Sequence, residues 1–242
     1  MSAMPDHTVK AFTEQLETLS ALVAQMGGLA EAQFAAAIEA IARRDSGAAE
    51  RAVGGDKRID ELQQEIEDRA LKLLALRQPM AVDLRETLAA IKTAAELERI
   101  GDLAKNIAKR AIVLNREPPI RLTQSLARMG RQAQSQLKQV LDAFSRRDSQ
   151  AAEAVWKQDG EIDEIYNSLF RELLTYMMED PRTIGLCTHL LFVAKNIERS
   201  GDHATNIAEV VYHMVRADHL SNDRPKADTT SETSVPFEAR QA

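Results

Sequence analysis

Apolar side chains recur at helical spacing along nearly the whole chain, and the interruptions fall at Asp, Ser and Pro. The clearest stripe is Leu97, Ile100, Ala104, Ile107, Ala111 and Leu114, spaced as in a helix that buries one side. Breaks fall near Asp45-Ser46, Gln78-Pro79, Glu117-Pro118-Pro119, Asp148-Ser149 and Asp180-Pro181, where Asp or Ser can cap a helix start and Pro cannot continue one. The pattern predicts an all-α chain of six long helices, at 8–44, 47–77, 82–115, 120–147, 150–179 and 183–219. Seven prolines and ten glycines in 242 residues agree with it, as does a chain dominated by good helix formers. From Ser221 the sequence turns to Ser, Thr, Asp and Pro, and is expected to be too poor in apolar residues to order.

The two halves repeat one another. ARRDSGAAE at 42–50 matches SRRDSQAAE at 145–153, and DKRIDE at 56–61 matches DGEIDE at 159–164, both at an offset of 103. ELERIGDLAKNIA, from Glu96, is echoed by NIERSGDHATNIAE, from Asn196, at an offset of 100. The chain therefore reads as two similar three-helix bundles from an internal duplication. The first spans 7–116, the second 119–220, and 221–242 is a disordered tail.

Each unit also repeats a chemistry. The second helix carries Asp56 and Asp60, or Asp159 and Asp163; the third carries Glu98 and Asp102, or Glu198 and Asp202. Four-residue spacing places each pair on one side of its helix, where like charges repel. At 100° per residue, Glu98, Asp102 and Asn106 stand nearly opposite the apolar stripe, which puts the carboxylates outside that core. A single such pair reads most simply as a solvated acidic face. Its recurrence on two helices of both units, with Leu84, Leu88, Ile91 and Ala95 extending the apolar surface of the third helix, suggests two clusters at packed faces. A cation would relieve their repulsion. All-oxygen donors without cysteine or consistent histidine suit a hard divalent or ferric metal, Mg, Mn or Fe, over Zn or Cu. Arg99 and Arg199 are the alternative source of neutralising charge, and Asn106 and Asn206 are expected to bond backbone at a helix crossing.

Composition narrows the function. There are 31 basic and 37 acidic residues, a formal charge of −6, and 4% aromatics, so nucleic acid is not an expected partner. The single cysteine, Cys187, and a start without cationic and apolar signal regions fit a reducing cytoplasm. No apolar run suggests a membrane span, so direct membrane insertion is not expected.

The stretch QPMAVDLRETLAAIKTAAELERIGDLAKNIA and the later NIERSGDHATNIAEVVYHM resemble the PhoU family, the accessory and regulatory proteins of bacterial phosphate-specific transport, over roughly residues 7–219. The resemblance implies a fold of two three-helix bundles, with multinuclear metal clusters at Asp56, Asp60, Glu98 and Asp102 and at Asp159, Asp163, Glu198 and Asp202. It also implies that, under phosphate sufficiency, the protein reports from the ATPase subunit of the phosphate ABC transporter to a membrane sensor histidine kinase. Both the starvation response and phosphate uptake are thereby held down. The Ser/Thr-rich tail and Gly54-Gly55 depart from the family pattern. A homodimer and no enzymatic activity are expected.

Two rivals stand beside this reading. One is a metal-free helical scaffold whose acidic faces bind basic partners. The other is a carboxylate-bridged di-metal oxidase, against which no Glu is followed by His three residues on. Of the remaining conspicuous residues, His203 is expected at a surface or interface, Cys187 buried, Trp156 between helices, and Met177, Met178 and Met214 in the core.

Overall fold

The longest helix is the first in one half of the chain and the last in the other. A computed structural model describes residues 6–119, 121–221 and 224–232, with side chains from residue 12. The helices are α1 (Asp6–Ala42), α2 (Ser46–Gly54), α3 (Asp56–Arg77), α4 (Val82–Leu114), α5 (Leu122–Arg146), α6 (Ser149–Lys157), α7 (Asp159–Glu179) and α8 (Ile184–Arg216), with short 3-10 turns at Pro181–Thr183 and Thr230–Glu232. No strand occurs among the described residues.

The helix starts follow the sequence. The Asp45 carboxylate accepts the Ala48 N–H at 3.0 Å, and Asp148 accepts those of Gln150 and Ala151 at 3.0 Å, which satisfies amides that the first turn leaves free. Each capping Asp follows a residue in the left-handed region, Arg44 at φ 56° and Arg147 at φ 52°.

The second helix of each repeat differs from the expectation: 47–77 and 150–179 are each two helices, broken at Gly55 and at Gln158. Gly54-Gly55 weakens the first. In both, a buried glutamine from the preceding long helix takes a carbonyl at the break. Gln33 Nε2 donates to Ala52 O at 2.8 Å, and Gln136 Nε2 to Gln158 O at 3.0 Å.

α1, α3 and α4 pack together, as do α5, α7 and α8, and the halves join along α4 against α8 and α1 against α5. One cluster of buried apolar side chains runs through both, from Leu19 to Met214. Gly27 and Gly130 make the α1–α5 approach. A methyl group at Gly27 would lie 2.6 Å from Leu141 Cδ2, and one at Gly130 would lie 2.5 Å from Ile38 Cδ1.

Two expectations need correction. The sequence reading finds no run suited to a membrane, yet the segment Phe12–Ala42 is long and apolar enough to cross one. It is instead the central helix of the first bundle, with Val23, Met26, Phe34 and Ala37 fully buried. The tail, expected to be disordered over 221–242, lays residues 224–232 against α7 and α8. Its polar backbone and charged side chains are ordered by hydrogen bonds and ion pairs rather than by apolar burial. Residues 222–223 and 233–242 lie outside the described residues.

Candidate functional site: two carboxylate clusters

The repeated Gly-Asp step has a packing origin. Gly101 and Gly201 are buried where α4 crosses α3 and α8 crosses α7. A Cβ would lie 3.1 Å from Ile59 Cδ1 at Gly101 and 2.8 Å from Ile162 Cδ1 at Gly201. Without side chains there, the helices approach closely enough for the carboxylates beside each glycine and about one turn before it to neighbour those of the facing helix.

In the first cluster Asp56, Asp60 and Glu98 are part-buried. Asp102 is the most open, its side chain 43% exposed. Burial raises the Asp60 carboxyl above its ordinary value, and Asp56 and Asp102 raise it further. Burial likewise raises Glu98, against Arg99, with Asp102, Asp60 and Asp56 adding to the rise. The main compensation comes from Lys105, whose ammonium pairs with Asp56 and lies 3.9 Å from Asp102. Arg99 contributes a 3.3 Å contact to Glu98 from an exposed position.

The second cluster is deeper. Asp159, Asp163 and Glu198 are each at most 5% exposed, so the position outside the core expected for Glu98 and Asp102 does not extend to the second repeat. Arg224 of the tail forks onto Asp159, with Nε to Oδ2 at 2.6 Å and Nη2 to Oδ1 at 2.7 Å, and Nη2 also reaches Asp202 Oδ1 at 2.8 Å. Asp163 accepts the Ala227 N–H at 2.8 Å and the Asp228 N–H at 3.2 Å. Burial nevertheless raises Asp163, which Asp159 and Asp202 push up further. Lys195 Nζ lies 2.8 Å from Glu198 Oε1 and 3.0 Å from Asp228 Oδ2. Burial pushes the Glu198 carboxyl up to about 7 even against that ammonium, with Asp202 and Asp163 adding to the rise. Its Oε2 is buried without a hydrogen-bond partner.

Sequence reasoning named the acidic residues and, among their partners, Arg99, but missed Lys105, Lys195 and Arg224. Lys105 and Lys195, each three residues from a motif carboxylate, were within reach of a spacing argument. Arg224, 65 residues from Asp159, was not. Arg199 is exposed. The all-oxygen donor set, the carboxyls raised by burial and further by their like-charged neighbours, and the orphaned Glu198 Oε2 have the chemistry of a hard-cation site. As placed, no three Asp, Glu, His or Cys side chains among the described residues gather into a ligand set for one ion; basic side chains hold that place.

Between the halves, α4 and α8 share a polar contact that the repeat does not duplicate. His203 Nδ1 lies 2.6 Å from Glu96 Oε2, and Asn206 Nδ2 donates to the same oxygen at 3.0 Å. His203 is thus the interface residue expected, whereas Asn206 bonds side chains instead of the expected backbone. Burial pushes Glu96 up, but the hydrogen bonds from His203 and Asn206 outweigh it and hold the carboxyl below its ordinary value. Because its folded value is depressed, this contact stabilises the fold fully above the ordinary value of an unfolded glutamate, and the contribution is lost as pH falls through the depressed value. His203→Ala is expected to cost about 1–2 kcal/mol at neutral pH. Chemical denaturation from about pH 5 down to pH 3 should show a shallower acid loss for Glu96→Gln than for the parent; identical slopes would contradict the assignment.

Cys187 is fully buried. Trp156 packs in the core and donates Nε1–H to Glu209 at 3.1 Å. Met214 is core, while Met178 is 67% exposed, contrary to expectation. Leu84 and Leu88 also remain open, and only Ile91 of that stretch, with Ala95 part-buried, turns inward. A surface cleft of about 630 Å³ between α1 and α3 is lined by Leu19, Glu61, Asp68, Arg69 and Leu73, and includes none of the eight motif carboxylates.

Residues 23–111 and 126–211 each match the family described as PhoU domain. The chain is 56% identical over 230 residues to the phosphate-specific transport system accessory protein PhoU homolog of Caulobacter vibrioides (strain NA1000 / CB15N), covering 95% of this chain and 100% of that one. It is 38% identical to the phosphate-specific transport system accessory protein PhoU of Escherichia coli (strain K12), covering 90% of this chain and 91% of that one. The crystal structure of PhoU from Pseudomonas aeruginosa superposes with a TM-score of 0.84 at 39% identity, covering 86% of this chain and 100% of that one.

Proposed function

This chain belongs to the PhoU family, and from that premise we propose that it is the accessory regulator of a phosphate-specific transport system, acting without catalysis to restrain phosphate uptake and the phosphate-starvation response. The observation that carries the reading is the 56% identity over 95% of the chain to a protein named as an accessory protein of phosphate-specific transport. The partners are the ATPase subunit of the phosphate ABC transporter and a sensor histidine kinase, met in the cytoplasm by a homodimer. Asp56, Asp60, Glu98 and Asp102, with Asp159, Asp163, Glu198 and Asp202, hold Mg, Mn or Fe in this reading, and the cation offsets the burial, and the smaller like-charge repulsion, that raise Asp60, Glu98, Asp163 and Glu198.

Deletion of the gene should derepress a phosphate-starvation reporter in phosphate-rich medium, and the wild-type copy should restore repression. A deletion strain with normal repression overturns the regulatory reading. Replacing Glu98 and Asp102 by Ala is expected to lower the metal content of the first cluster and leave the second. Unchanged metal content would mean that these residues are not the ligands, and absence of metal from parent protein purified without chelator would favour the scaffold alternative, in which the acidic faces serve basic partners directly.

A further inference from the structure

The duplication makes the two clusters comparable position by position, and at the second one several positions have changed together. Lys105, which neutralises Asp56 in the first repeat, corresponds to Thr205, a buried residue that carries no charge. The missing cation comes from outside the repeat, as Arg224. Its guanidinium binds Asp159 through two nitrogens, touches Asp202, and donates through Nη1 to Asn206 Oδ1 at 3.0 Å. Lys226 adds a 3.6 Å contact to Asp202.

The second repeat also reads the tail's backbone. Asp163 accepts two consecutive amides, from Ala227 and Asp228. One turn along α7, Asn167 donates Nδ2–H to Ala227 O at 2.6 Å and accepts the Thr229 N–H at 3.1 Å. Lys195 grips Asp228, whose other oxygen accepts from the backbone and hydroxyl of Thr230. Gly160 leaves the space: a Cβ there would lie 2.9 Å from the Pro225 carbonyl oxygen, a backbone atom that cannot rotate away. The corresponding residues of the first repeat are Lys57 for Gly160, Gln64 for Asn167 and Ala95 for Lys195, so the first cluster lacks this receptor.

We propose that residues 224–232 are a resident ligand of the second carboxylate cluster, an intramolecular latch whose Arg224 occupies the position of a divalent cation and must lift before one binds. The two clusters are then unequal. The first exchanges cations with solvent by displacing Lys105, and the second does so only when the tail is released. The cation half of this proposal rests on the cluster reading given above, whereas the latch itself does not.

Limited trypsinolysis tests the latch, because the Lys226–Ala227 bond is held through the Ala227 N–H. In the full chain this bond is expected to resist cleavage, and Arg224→Ala should speed it about tenfold or more, as loss of charge-assisted hydrogen bonds implies. Gly160→Val should do the same while every charge remains, so the effect is not one of net charge. Equal cleavage of parent and both variants overturns the latch, with circular dichroism confirming intact helices. Calorimetric titration with Mn²⁺ tests the competition. Arg224→Ala should gain a second class of sites, or bind there about tenfold more tightly, with the first class unchanged. Identical Mn²⁺ isotherms overturn the competition, and absence of Mn²⁺ binding to either protein additionally removes the cation reading of both clusters while the proteolysis still judges the latch.

Discussion

Valine at position 130 is expected to destabilise the protein by about 3 kcal/mol, the upper end for overpacking a tight helix crossing. Its Cβ would lie 2.5 Å from Cδ1 of Ile38 and 2.8 Å from both Cγ1 and Cγ2. The clash therefore involves the whole side chain and not one rotatable tip, and two further methyl groups leave Ile38, itself only 4% exposed, no rotamer to move into. Relief requires α1 and α5 to separate, which opens the core the two halves share. Thermal unfolding should shift down by roughly 5–10 °C for a chain of this length. Gly28→Ala is the control on α1. Nothing lies within 4 Å of a Cβ there, so the substitution is expected to stabilise by up to about 1 kcal/mol through helix propensity alone. An unchanged melting temperature for Gly130→Val would mean that α1 and α5 are not in this contact.

Much of the architecture is legible in the sequence because the periodicity and the capping residues are local. Asp45, Asp148 and the prolines punctuate the chain where the helices end, and the duplicated Gly-Asp step announces that what holds for one half holds for the other. The break at Gln158 is illegible. No glycine pair marks it, and the residue that takes its free carbonyl, Gln136, comes from another helix. At the carboxylate clusters, spacing and repetition locate the acidic residues but say nothing of depth. A helical wheel places Glu98 opposite the apolar stripe, yet its counterpart in the second repeat, Glu198, is buried. The partner charges divide by the same rule. Lys105 lies three residues from Asp102, whereas Arg224 reaches Asp159 only through tertiary contact, and a polar tail reads as disorder when its anchors are hydrogen bonds to Asp163 and Asn167.

The glycine of the motif carries the second large effect. Gly201→Val is expected to cost about 2–3 kcal/mol, because its first carbon would lie 2.8 Å from Ile162 Cδ1 and 3.5 Å from Gln136 Oε1. A single methyl could be absorbed by rotation of the Ile162 tip, so Gly201→Ala should be mild. Valine adds bulk on the side of the buried glutamine, whose carbonyl oxygen already lacks a partner, and drives α8 away from α7. The equivalent Gly101→Val should be less costly, since the nearest atom, Ile59 Cδ1, starts at 3.1 Å. Separating α7 from α8 also draws Asp159 and Asp163 away from Glu198 and Asp202, although none of the four is altered. If the cluster depends on that approach, Gly201→Val should weaken tail docking and increase cleavage at Lys226 before global unfolding, with helix content preserved. Denaturant titration followed in parallel by circular dichroism and by proteolysis separates the two events, and coincident transitions would show that the motif glycine serves the core alone.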